Sequence, residues 1–114
     1  MPRNNRASVQ DEYNELGTRT DLTALKDFAN WRYISDDDWT KLCRSSADFA
    51  RVREGDRVFE AGCGAGAFLD ELVKYRCVFV EGIDFAVNLI AIARKRARDA
   101  SSQFHVGDVR DMSA

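Results

Sequence analysis

The feature that most constrains this chain is an apolar run that ends in an acid and opens into alternate glycines: Val58-Phe59-Glu60-Ala61-Gly62-Cys63-Gly64-Ala65-Gly66. Glycines at positions 62, 64 and 66 let the backbone turn through positive φ and let another molecule lie against the main chain. Phe68, Leu69, Leu72 and Val73 then follow at helical spacing. The segment is predicted to be a strand, a tight turn and a helix, with a cofactor cradled at the turn. Gly62, Gly64 and Ala67 also satisfy the dinucleotide pattern G-x-G-x-x-G/A, and a glycine-rich connection with no ligand is the plainest alternative. Glu60 separates the ligand classes, because a pyrophosphate at the helix N-terminus would meet repulsion from that carboxylate, whereas a cationic ligand would be attracted.

With 114 residues the chain has room for one small domain. No apolar run is long enough to span a bilayer, and the start lacks the apolar core of a signal peptide, so the cytoplasm is the expected location. Residues 1–19 are polar and expected to be flexible. Residues 20–51 are expected to form helices near Asp21–Ala29 and Asp36–Arg51, the second opening on a capping box from Ser35 to Asp38. Residues 52–114 alternate strands at Arg57–Ala61, Cys77–Ile83 and Gln103–Val106 with helices. That alternation predicts an α/β fold with a right-handed, doubly wound parallel sheet, its functional groups at the carboxyl ends of the strands.

Each strand delivers an acid to that rim: Glu60, Asp84 and Asp108. Asp84 stands where a strand-end acid grips ribose hydroxyls in nucleotide folds, and it could equally cap the following helix. Asp108, after Gly107, could be a turn residue. Cys43, Cys63 and Cys77 form no C-x-x-C pair, and His105 is the only histidine, so a disulfide framework, a metal site and a Ser-His-Asp triad find no support. Cys63 is read as filler within the loop. The net charge of −2 argues against a nucleic-acid footprint, and Arg94, Lys95, Arg96 and Arg98 are read as the solvated face of a helix. Trp31, Tyr33 and Trp39 are candidates for a lid or for core packing.

Glu60-Ala-Gly62-Cys-Gly64-Ala-Gly66, Gly82-Ile-Asp84-Phe-Ala and Gly107-Asp108-Val109 together resemble the three ordered motifs of class I S-adenosylmethionine-dependent methyltransferases. The resemblance covers about residues 51 to 114. It implies a Rossmann-like sheet and S-adenosylmethionine as cofactor, with the methionine part along Gly62, Cys63, Gly64 and Gly66 and its amino group near Glu60. It further implies ribose hydroxyls on Asp84, adenine packed on Phe85, and the adenine edge read by Asp108 and the Val109 backbone. No residue is assigned as a catalytic base. The family sheet has seven strands in the order 3-2-1-4-5-7-6, so the expectation is the cofactor-binding half, cut after the third strand, with N-terminal helices closing over the cofactor.

The methyl acceptor is unidentified, with a small molecule favoured over nucleic acid and no membrane partner expected. Association through an open sheet edge is also expected. A nicotinamide-dependent oxidoreductase fragment and a noncatalytic partner-binding module remain as alternatives.

Overall fold

The computed structural model describes residues 6–19, 21–22, 24–29, 31, 33–97 and 100–111. Three strands, β1 (Arg57–Ala61), β2 (Phe79–Asp84) and β3 (Ser102–Val106), form a parallel sheet in the order β1-β2-β3. The register pairs Glu60 with Gly82 and Asp84 with Val106, so the rim residues converge at one end of the sheet. Among the described residues four α-helices accompany it: α1 (Arg6–Leu16), α2 (Asp36–Phe49), α3 (Ala67–Tyr75) and α4 (Val87–Arg96).

The strand alternation decides which face is covered. Val80 and Phe104 are buried with Leu69 and Leu72 of α3, Ile90 and Ala93 of α4 and Ala47 of α2 in one cluster, with Val58 packed against it. Leu69, Leu72, Leu89 and Ile90 are fully buried, and truncating any of them to Ala would cost roughly 2–5 kcal/mol. The opposite face carries Phe59, Phe79, Glu81 and His105, all exposed, with the His105 ring 2.6 Å from the Glu81 carboxylate. Among the described residues β1 is an edge strand, bonded to β2 alone.

Helix α2 begins as its capping box predicts, with the Asp38 N–H donating to Ser35 Oγ at 3.0 Å. Other boundaries differ from the expectations. The span 1–19 contains α1, a helix with a weak apolar stripe that docks on α4 through amides. Asn88 Nδ2 donates to the Asn14 carbonyl at 2.9 Å, and the Asn88 N–H reaches Asn14 Oδ1 at 3.3 Å. Polar docking of this kind leaves no hydrophobic periodicity to read.

The helix expected at Asp21–Ala29 is only a 3-10 turn at Leu25–Ala29. The Asp27 carboxylate there accepts from the Ala24 N–H at 3.4 Å, the local competition for backbone donors that makes Asp a poor helix-interior residue. Arg94 is not simply solvated: its Nε donates to the Phe104 carbonyl at 2.9 Å and ties α4 to β3. Arg98 lies outside the described residues.

Candidate functional site

At the carboxyl ends of β1 and β2 lies a cleft of about 370 Å³, within the range of small-molecule sites. Its floor is formed by Glu60, Gly62, Cys63, Gly64, Asp84 and Phe85, and its walls and roof include Tyr13, Phe28, Trp31, Trp39 and Phe68. Among the described residues, no Lys, Arg or His lines it. The N-terminal third of the chain therefore closes over the glycine loop.

The loop is held from behind. Gly62 and Cys63 N–H groups both donate to the Ile83 carbonyl, at 2.8 and 3.1 Å, and the Gly66 N–H donates to the Cys63 carbonyl at 2.9 Å. Gly64 donates to Asp84 Oδ2 at 2.9 Å, while Asp84 Oδ1 accepts from the Ala86 N–H at 2.8 Å. Asp84 thus both braces the loop and serves the start of α4, and each of its oxygens retains lone-pair capacity for another donor. The loop donors at 62, 63, 64 and 66 are already committed, so they offer no nest to a pyrophosphate.

The two glycines at the ends of the loop do different work. Gly62 has φ +72°, and a Cβ there would meet nothing within 4 Å, so its bare face is open to the cleft. Gly66 has φ +82°, and a Cβ there would stand 3.1 Å from the Phe104 ring, so it secures the packing of α3 on the sheet. It does not line the cleft. Gly82, which opens the second motif, performs a related packing task that the motif itself did not reveal: a Cβ on it would sit 2.6 Å from Cys63 Sγ. A glycine inside an apolar, β-branched strand is the signal that could have revealed this close approach.

Glu60 and Asp84 contrast sharply. Glu60 Oε1 is buried with no hydrogen-bond partner among the described residues. Burial pushes its carboxyl up to about 7, and the charge of Asp84 adds to the shift. Cys63 is buried, and burial, then Asp84 and Glu60, push its thiol up to about 12. Its thiol is therefore held protonated at neutral pH, which disfavours a nucleophilic role.

Asp108 and Val109 stand apart from this cleft. Asp108 accepts from the Arg110 backbone N–H at 2.9 Å and pairs with its guanidinium at 2.7 Å. Val109 opens a short 3-10 turn and is exposed. Phe85 makes an edge-on contact with Tyr13, ring centroids 5.9 Å apart. Of the aromatic lid candidates, Trp31 and Trp39 line the cleft with their rings 5.7 Å apart, whereas Tyr33 is 86% exposed and does not. Among the described residues no group of His, Cys, Asp and Glu could hold a metal ion. No helix there is long and apolar enough to cross a membrane.

Among solved structures, the chain is similar to CalS10, an amino pentose methyltransferase from Micromonospora echinaspora solved with S-adenosylmethionine bound. The identity is 27%, the TM-score 0.60, and the match covers 82% of this chain and 38% of that one. A methyltransferase from Geobacter sulfurreducens, in complex with S-adenosyl-L-homocysteine, shares the fold at 21% identity and TM-score 0.58, over 88% of this chain and 36% of that one. A complex of the Haloferax volcanii Trm112 methyltransferase activator with a putative methyltransferase matches at 26% identity and TM-score 0.50, over 67% and 40%. The chain spans less than half the length of each. No curated protein matches by sequence. The family model for a methyltransferase domain matches residues 58–114, from β1 through the loop and both later strands, and on that match the chain belongs to the class I S-adenosylmethionine-dependent methyltransferases.

Proposed function

We propose that the cleft holds S-adenosylmethionine and that the chain serves a methyl transfer to an acceptor, with a small molecule favoured. The observation that carries this reading is the pairing of an unpartnered buried Glu60 oxygen with a loop whose backbone donors are already engaged. Such a floor repels a pyrophosphate and favours a ligand bearing an ammonium and a sulfonium. It disfavours the nicotinamide alternative.

In this assignment the methionine part lies along Gly62, Cys63 and Gly64, with Glu60 accepting from its amino group. Asp84 holds the ribose hydroxyls with its remaining lone pairs, and Phe85 packs on adenine. Gly66 supports this site from behind. Asp108 and Val109 reach the adenine edge only if the Arg110 side chain yields. When bound, the cofactor supplies an electrophilic methyl group on sulfur. The protein's part is alignment of the acceptor and exclusion of water, for which the roof residues Trp31 and Trp39 are placed.

Residues 52–114 are read as the cofactor-binding unit, with 20–51 as its cover and 1–19 carrying the docked helix α1. The unpaired edge of β1, next to exposed Phe59, favours association with a further strand. The free thiols of Cys43, Cys63 and Cys77 accord with the reducing cytoplasm. Calorimetric titration with S-adenosylhomocysteine and with NAD tests the assignment. Tighter binding of the adenosyl amino acid is expected, and preference for NAD would overturn it.

A further inference from the structure

We propose that cofactor binding at this site expels a proton from Glu60, so that the cleft takes its ligand more tightly as the pH rises through neutrality. The inference rests on the functional reading above and adds the ionic linkage that governs it.

The geometry sets two acids at one floor in opposite conditions. Asp84 receives N–H donors on both oxygens, from Gly64 and Ala86. Glu60 has a buried oxygen with no donor at all. A buried carboxylate with no partner is costly, and the group avoids the cost by holding a proton. The groups that face Glu60 cannot relieve it. Asp84 at the end of β2 is an acid, and Cys63 in the loop and Cys43 on α2 are buried thiols pushed up to about 12. Glu71 on α3 adds another acid beside Cys43. Among the described residues, none that lines the cleft is basic. His105 stands on the opposite face of the sheet, against Glu81.

The missing donor must therefore arrive with the ligand. An ammonium placed against Glu60 stabilises the carboxylate, the carboxyl proton passes to solvent, and the ammonium N–H becomes the donor that Oε1 lacks. The burial that pushes Glu60 up to about 7 places this exchange in the physiological range. Below that range the ligand must first displace the proton, and above it the carboxylate is ready.

The test uses the full chain and S-adenosylhomocysteine, whose neutral sulfur leaves the amino acid part as the cationic probe. Affinity is measured by calorimetry from pH 6 to pH 8, in phosphate and in Tris to count protons released. The expected result is affinity about ten-fold higher at pH 8 than at pH 6, with up to one proton released near pH 6. Glu60→Gln keeps the shape and removes the titration, so it should flatten both the pH dependence and the difference between buffers. Wild-type binding that is independent of pH and of buffer would overturn the proposal while leaving the cofactor assignment standing. Persistence of the pH dependence in Glu60→Gln would also overturn it. Absence of binding at every pH would instead overturn the functional reading and the proposal with it.

Discussion

The floor and the roof of the cleft are built by different means. The floor is backbone geometry and charge: a turn at positive φ, an acid with its donors in place, and an acid without any. The roof is aromatic area: Trp31 against Trp39, Tyr13 against Phe85 of the floor, and buried Phe28. A floor of this kind tolerates few residue types at each position, because a single Cβ or a lost carboxylate changes it. A roof held by apolar contact tolerates many, since aromatic and aliphatic residues of similar volume can replace one another. Substitutions should therefore act on the floor through stability and affinity together, and on the exposed roof chiefly through ligand retention.

The strongest attempt to break that contrast is Gly66→Ala. The left-handed backbone there costs a residue with a Cβ about 1–2 kcal/mol, and crowding against the Phe104 ring adds roughly 1–3 kcal/mol. Chemical denaturation should show a loss of roughly 2–5 kcal/mol, a large part of the stability of a small domain. Gly62→Ala is the comparison, because it has the strained φ but no neighbour within 4 Å. It should lose only the conformational part while weakening S-adenosylhomocysteine binding, which would separate a packing glycine from a ligand-facing one. Equal loss of stability in the two variants would show that the packing assignment of Gly66 is wrong.

This difference in construction also explains what could be read in the sequence. The three strands, their parallel order and α2 with its Ser35 cap were legible, because glycines, strand-end acids and capping boxes are local signals with fixed spacing. The convergence of Glu60, the loop glycines and Asp84 followed from strand order. The roof was less legible. Trp31 and Trp39 could be flagged as aromatics, but nothing in their spacing distinguished them from Tyr33, which is exposed. Helix α1 went unseen because Asn14 and Asn88 join it to α4 through amides. The role of Gly82 was hidden because its partner, Cys63, is distant in sequence and meets it only across the turn.

A second test acts on the floor through pH. The folded-state value of Glu60 lies above its ordinary value, so the native state holds a proton that the unfolded state releases between pH 4.5 and about 7. Stability from this group is thus full below that window and falls as pH rises through it, by up to about 3 kcal/mol. Glu60→Gln removes the titration. Its stability should match wild type near pH 4.5 and exceed it at pH 8, as followed by urea midpoints. A wild type that gains stability relative to the variant over this window would mean that Glu60 has a donor after all.

The roof test expects a smaller change in stability. Trp31 is 44% exposed and its ring forms a tilted pair with that of Trp39. Loss of such a pair costs roughly 0.5–1.5 kcal/mol. Trp31→Ala should therefore unfold only slightly earlier, while stopped-flow release of S-adenosylhomocysteine becomes several-fold faster because a wall of the cleft is gone. Tyr33→Ala is the control: exposed and outside the lining, it should change neither quantity. Similar release rates in the two variants would remove Trp31 from the roof.

The smallest expected effect is at the third acid, where the resemblance and the geometry pull in different directions. The family pattern directs Asp108 toward the adenine edge, yet its carboxylate is held by the Arg110 guanidinium at 2.7 Å and by the Arg110 N–H at 2.9 Å. Arg110 is largely solvent-facing, and an exposed pair of this kind contributes only about 0–1 kcal/mol. Arg110→Ala should therefore leave the unfolding midpoint nearly unchanged. If Asp108 accepts from the adenine, removing the guanidinium should raise affinity for S-adenosylhomocysteine modestly, and Asp108→Ala should lower it. If Asp108 is a turn residue only, Arg110→Ala should leave affinity unchanged, and Asp108→Ala should lower stability alone by losing the bond to the Arg110 backbone. Calorimetry on the two variants decides between these outcomes, and with them whether the floor of the cleft extends from β1 and β2 to the end of β3.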